Sequence, residues 1–175
     1  IGTDKVIRDH STIGIVMTTD GSVNEIPRAA VEKVEEEIVG QLKEIGKPFV
    51  ILLNCRFPDN DQTAHLRQEL FKKYNVPVIA AAVDRMSVHE IQFVLKEALY
   101  EFPVTTFELL KPEWMDVLES DHPLKESLQN SLDSWSSQVS KIRDVKDLAT
   151  FIADEPYVEH AEVIEVDAGK GKASI

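Results

Sequence analysis

The stretch FVILLNCRFP, residues 49–58, decides how the rest of the chain is read. Its first five residues are apolar without alternation, and they end in Asn54 with a polar loop directly behind. An unbroken apolar run of this length reads as a strand buried on both faces, the kind found in parallel sheets whose two sides are covered by helices. In open α/β sheets ligands collect at the carboxyl ends of the strands. Asn54 therefore stands where a ligand would be met.

Working outward, residues 11–19 read as a preceding strand through Ile13, Ile15, Val16 and Met17. It closes in Thr18-Thr19-Asp20-Gly21-Ser22, where Asp-Gly signals a turn and the hydroxyls and carboxylate are capping types. The first ten residues could be the tail of a helix. Between the two strands, residues 27–45 carry Val31, Val34, Ile38, Leu42 and Ile45 at spacings of three and four, which predicts an amphipathic helix. The run Glu35-Glu36-Glu37 is expected on its solvated face, with Gly46 as the C-cap and Pro48 beyond it. After the central strand, residues 63–74 read as a helix with Leu66, Leu70 and Tyr74 inward, and residues 76–83 as a third buried strand. Ser87 with Glu90 fits a capping box, opening a helix that faces inward through Val88, Ile91, Leu95 and Ala98 and ends before Pro103.

Residues 1–103 thus alternate strand and helix, which predicts right-handed βαβ units in a three-layer α/β domain. Three strands make a thin sheet, and the chain opens on Ile1 rather than Met, so further strands are expected upstream of a piece cut from something longer. Beyond residue 103 the character changes. Pro112 precedes a short helix through Trp114, Met115, Val117 and Leu118, and His122-Pro123 breaks it. A long stripe follows through Leu124, Leu128, Leu132, Trp135, Val139 and Ile142, a candidate contact surface, and residues 143–152 continue helical. Residues 158–167 read as a strand, 169–171 as a turn, and 172–175 as the start of a returning strand. Residues 104–175 are therefore expected to form a helical connection and the start of a second α/β domain, itself cut at its end.

Composition narrows the function. The 175 residues carry a formal net charge of -12, which argues against nucleic acid as a partner, since phosphate binding needs a basic surface. The single cysteine, Cys55, forbids an internal disulfide and fits a reducing compartment. No apolar run approaches the ~20 residues that span a bilayer. The five histidines show no metal-ligand spacing. The Gly169-Lys170-Gly171-Lys172 segment lacks the GxxxxGK[ST] spacing and a following helix, so it is no phosphate loop.

Position gives Asn54 its candidacy. In GTPase-like P-loop proteins an Asn-Lys-X-Asp motif follows such a strand: the Asn fastens the base, and the Asp accepts hydrogens that guanine has and adenine lacks. Here the four residues are Asn54-Cys55-Arg56-Phe57. The Asn is kept, the Lys is gone, and Phe57 replaces the guanine-reading carboxylate. A purine could still stack on Arg56 or Phe57, and without its specific partner guanine loses its advantage. Adenine is the expected base. Ala82, Val83 and Asp84, ending the third strand, occupy the second base-contacting segment of that architecture and would act through backbone amides. The bland reading of each is a turn or a cap. No phosphate-cradling loop and no Mg²⁺-holding motif is recognisable in these residues, so a phosphoryl transfer could not be completed by them alone. A flavodoxin-like or receiver-like sheet is disfavoured, because Thr18-Thr19-Asp20 offers one carboxylate where an acidic cluster is needed.

Several contiguous segments carry a family resemblance: Ile1-Gly2-Thr3 with Lys5-Val6-Ile7, His10-Ser11-Thr12-Ile13-Gly14, Thr18-Thr19-Asp20-Gly21, Gly46-Lys47-Pro48-Phe49, and the run from Glu97 to Val104. They resemble the stage IV sporulation protein A family of endospore-forming bacteria over most of residues 1–150. The resemblance implies an ATPase of the GTPase-like P-loop class that hydrolyses ATP and polymerises with itself into the basement layer of the spore coat. It implies a place in the mother-cell cytoplasm at the outer forespore membrane, with the small amphipathic stage V sporulation protein M and other coat proteins as partners. The phosphate loop and the Mg²⁺ site would lie upstream of Ile1. Asn54, Arg56, Phe57, Ala82, Val83 and Asp84 would then form the base end of the ATP site. A non-catalytic scaffold with a decayed nucleotide site is the alternative.

Overall fold

The computed structural model describes residues 2–23, 26–119, 121–136, 139–155 and 157–175. The chain divides into two compact units, Ile1–Glu101 and Phe102–Ile175.

Unit 1 runs α1 (Gly2–His10), β1 (Gly14–Thr19), α2 (Arg28–Ile45), β2 (Phe49–Asn54), α3 (Asp61–Tyr74), β3 (Val78–Ala81), a 3-10 turn (Val83–Arg85) and α4 (Val88–Leu99). The sheet is parallel throughout, in the order β1-β2-β3, with Gly14 level with Phe49 and Ile51 level with Val78. β2 is central and buried along its length up to Asn54, as its unbroken apolarity requires. Alternation divides its side chains. Phe49, Ile51 and Leu53 pack with Val39 and Leu42 of α2 and Leu70 and Tyr74 of α3 on one face. Val50 and Leu52 pack with Val94 and Ala98 of α4 on the other. The three-layer α/β reading therefore holds for this unit. Helix ends follow local chemistry: Asn60 accepts from the Gln62 amide, Gly46 takes the left-handed conformation at φ 70° that a C-cap needs, and Ser87 and Glu90 form the reciprocal capping box.

Several expectations shift. The third strand spans only Val78–Ala81 and 83–85 form a 3-10 turn; the apolar run over 76–83 is longer than the ladder, whose last pair is Asn54 with Ala81. The face of α2 is rotated. Val34 and Ile38 are exposed, whereas Glu35, Val39 and Leu42 are buried. α4 likewise buries Val94 and Ala98 and leaves Val88, Ile91 and Leu95 exposed. β1 is an edge strand with Val16 and Thr18 buried and Ile15 and Met17 open.

Unit 2 runs β4 (Thr106–Glu108), α5 (Trp114–Val117), α6 (Pro123–Ser136), α7 (Ile142–Ala153), β5 (Glu165–Asp167) and β6 (Lys172–Ser174). Its sheet is mixed, β4-β6-β5, with β4 parallel and β5 antiparallel to β6. Val145, Leu148, Ala149 and Ile152 of α7 pack with Ala173 and Ile175, joined by Phe107, Trp135 and Val163. The apolar stripe over 124–142 is not one helix. α6 holds its first part, Ser137 and Gln138 lie outside the described residues, and Ile142 opens α7. Pro123 begins α6 rather than merely ending α5, since its missing N–H costs nothing at a helix start. The strand expected over 158–167 is confined to Glu165–Asp167. Among the described residues no helix is long and apolar enough to cross a membrane.

Candidate functional site

The parallel order brings three carboxyl ends onto one rim. Thr19 is level with Asn54, and Asn54 with Ala81, so the loops after β1, β2 and β3 are neighbours. Asn54 Oδ1 accepts the Val83 N–H at 3.2 Å, and the Cys55 N–H donates to Ala81 O at 3.0 Å. The end of β2 is thereby tied to the 82–84 segment, and the Val83 amide, one of the donors expected to face a ligand, is already engaged. The Asn54 Nδ2 makes no hydrogen bond among the described residues. Arg56 and Phe57 project outward, with Phe57 62% exposed. Ala82 and Val83 are half-buried and Asp84 is exposed beside Arg85, whose Nε is 3.8 Å from Asp84 Oδ1.

The main chain of Arg56 is held on both sides. Its N–H donates to Ser22 Oγ at 2.9 Å, and its carbonyl accepts from Arg85 Nη2 at 2.7 Å. Ser22 is fixed in turn by Asp20, whose Oδ1 accepts the Ser22 N–H at 2.8 Å and its hydroxyl at 2.6 Å. Between them Gly21 sits at φ +91°, and a Cβ there would lie 3.2 Å from Ile26 O. Only glycine takes this turn without strain.

Behind the rim lies a polar cluster centred on Glu35, a residue that the sequence reading placed in solvent. Glu35 is 4% exposed and receives both Arg28 amino groups, at 2.6 and 2.7 Å, and the Tyr74 hydroxyl at 2.9 Å. Arg28 Nη1 also donates to Thr18 Oγ1 at 2.8 Å, anchoring the start of α2 to the end of β1. Burial works to raise the Glu35 carboxyl, but hydrogen bonds from Arg28, Thr18 and Tyr74 and the Arg28 charge hold it below the usual carboxylate value. Burial and the Glu35 carboxylate push the Tyr74 phenol up to about 12. Sequence reasoning missed this group, yet a signal exists. Arg28, Val31, Glu35, Val39 and Leu42 also recur at spacings of three and four, one stripe rotated from the apolar one.

The rim offers an exposed aromatic ring, a guanidinium and an unengaged amide at the strand ends, the makings of a stacking and hydrogen-bonding surface for a flat heterocycle. Nucleophilic chemistry is not built into it. Cys55 is buried, and burial followed by the Asp20 charge pushes its thiol up, away from the reactive thiolate. Among the described residues no group of three or more His, Cys, Asp or Glu is placed to hold a metal ion. Unit 2 contains a cavity of about 540 Å³ lined by Leu110, Trp114, Met115, Leu124, Leu128 and Ile164, and none of the candidate residues reaches it.

Comparison with known proteins gives this rim a context. Residues 1–103 match the family "Stage IV sporulation protein A, ATPase domain", and residues 104–175 match "Stage IV sporulation protein A, middle domain". Over all 175 residues the chain is 39% identical to the stage IV sporulation protein A of Bacillus subtilis (strain 168), and equally to those of Bacillus anthracis and Clostridioides difficile (strain 630). It spans 36% of the length of each of these relatives. No solved structure matches it. The chain belongs to the stage IV sporulation protein A family.

Proposed function

We propose that residues 1–103 supply the base-binding rim of an ATPase of the P-loop, GTPase-like class, in a sporulation protein that hydrolyses ATP to drive its own assembly into the basement layer of the spore coat. The observation that carries this reading is the junction of Asn54 with the 82–84 segment at adjacent carboxyl ends of a parallel sheet. Two neighbouring loops are thereby fixed into one surface, and the Asn54 amide is left for a ring nitrogen. Phe57 stands where a guanine-reading carboxylate would be needed, so the base is adenine. The match to the family's ATPase domain supports nucleotide use. The triphosphate and its Mg²⁺ belong, on this reading, to other parts of the full-length protein, since residues 1–103 contain no GxxxxGK[ST] phosphate loop. Self-association, binding to stage V sporulation protein M and other coat proteins, and a position at the outer forespore membrane in the mother-cell cytoplasm belong to the same proposal.

The test is steady-state hydrolysis of ATP against GTP by the full-length protein, with and without Asn54→Ala. ATP-selective turnover that weakens about tenfold or more in the variant is the expected result, the size of a lost base contact. Turnover indifferent to Asn54→Ala would reduce Asn54 to a turn residue. Intact assembly with no turnover of either nucleotide would favour a passive scaffold.

A further inference from the structure

We infer that Ser22, backed by Asp20, is a positioning residue for the base end of this nucleotide site: it and Arg85 clamp the Arg56 peptide from its two sides, at 2.9 Å on the N–H and 2.7 Å on the carbonyl. The inference rests on the nucleotide reading above and names what controls affinity within it.

The physical reasoning starts from the loop itself. Residues 55–57 leave the sheet at Asn54, and the groups that would meet a base, Arg56 and Phe57, are exposed. An exposed loop of this kind samples many backbone states, and ordering each residue costs backbone entropy. Binding a base on such a loop would bear that cost at every encounter. Here the cost is met on folding. The Ser22 hydroxyl donates to Asp20 and accepts from Arg56, so it uses both its functions at once. Donation to a carboxylate polarises the hydroxyl oxygen and strengthens it as an acceptor. Gly21 supplies the turn that aims Ser22 across the rim, and the Gly21 N–H is held by Thr19 Oγ1 at 3.1 Å. The loop after β1 and the turn after β3 therefore both bear on the base platform, although neither Ser22 nor Asp20 needs to touch the base.

In the full-length protein, Ser22→Ala is expected to raise the KM for ATP about three- to tenfold with kcat within about twofold, the signature of one lost hydrogen bond that favours ground state and transition state alike. Ser22→Thr keeps the hydroxyl and restores KM. Inorganic tripolyphosphate, which has no base, inhibits Ser22→Ala as well as it inhibits the wild type, whereas inhibition by adenosine weakens in step with KM. Asp20→Asn moves KM in the same direction by about two- to threefold and stands in if Ser22→Ala does not accumulate. Ser131→Ala, which removes a hydroxyl bound to Glu155 in unit 2, changes none of these values. An unchanged KM in Ser22→Ala, or equal weakening of tripolyphosphate and adenosine, overturns the clamp and leaves the nucleotide site standing. A wild-type protein without saturable ATP binding overturns both.

Discussion

Glu35→Gln keeps the volume of the side chain and removes its charge, so it isolates what the buried carboxylate contributes. Short hydrogen bonds end on that group, two from Arg28 and one from Tyr74, and Thr18 adds to them. The glutamine oxygen can keep part of this set, but its amide nitrogen then faces another donor. One charge-assisted bond of this kind is worth about 1.5–3 kcal/mol. Arg28 also loses its closest counter-charge and keeps only Glu32, whose Oε1 lies 3.7 Å from Arg28 Nε. Its side chain is 16% exposed, so water recovers part of that loss and the cost stays below that of a fully buried pair. The sum is about 3 kcal/mol of lost stability. Urea titration followed by far-UV circular dichroism is the assay, because both tryptophans, Trp114 and Trp135, lie in unit 2 and their fluorescence reports there. The midpoint should fall by about 1–2 M. Arg28→Met/Glu35→Leu should recover half or more of the loss, since no charge is stranded. The reasoning fails if Glu35→Gln lies within roughly 0.5 kcal/mol of wild type, or if the double variant is as unstable as the single one. The sign in pH is fixed by the same group. Its folded carboxyl is held low, so its contribution is present at neutral pH and is lost as pH falls below ~4 and through the lowered value.

Tyr74 titrates the other way. Its folded value of about 12 lies above the ordinary 10.0, so its contribution is complete below pH 10 and disappears toward pH 12, visible as a phenolate absorbance rise that coincides with loss of helical signal. Gly21→Ala forces a side chain onto a backbone at φ +91° and should lower stability by about 1–2 kcal/mol in a thermal melt, with no rescue by any other L residue. Ser87→Ala removes the hydroxyl that accepts from the Glu90 amide, and should cost about 1 kcal/mol and speed amide exchange in the first turn of α4.

The parts of the fold that the sequence declared are those set by local chemistry or by unbroken apolarity. β2 announced itself as a strand buried on both faces and ended on the expected residue, Asn54. Gly46 and the Ser87–Glu90 pair marked helix ends because caps depend on neighbours a few residues away. What failed depended on distant partners. Glu35 reads as solvated because a carboxylate in a run of three glutamates has no visible reason to be buried. Its reason is Tyr74, 39 residues later, and Arg28, seven residues earlier. The inward face of α4 was misplaced in part for a related cause: of the expected set only Ala98 meets β2, joined by Val94, while Val88, Ile91 and Leu95 are exposed. The rim was legible as a place, since strand ends in a parallel sheet meet on one side. The bonds that knit it, Ser22 to Arg56 and Arg85 to Arg56, were not, because backbone groups carry no mark in the sequence.

The sheet of unit 2 has a consequence for how the chain emerges from the ribosome. Its middle strand, β6, is the last of its three strands to be synthesised, and its link to the β4 side joins Thr105 and Gly171 across 66 residues. Until that strand is extruded, β4 and β5 have nothing between them to pair with, and the apolar face of α7 waits without Ala173 and Ile175. In unit 1 each new strand pairs with the one made just before it. Nascent chains stalled just short of β6 should therefore hold a protease-resistant first unit and a second one still open to cleavage and to chaperones.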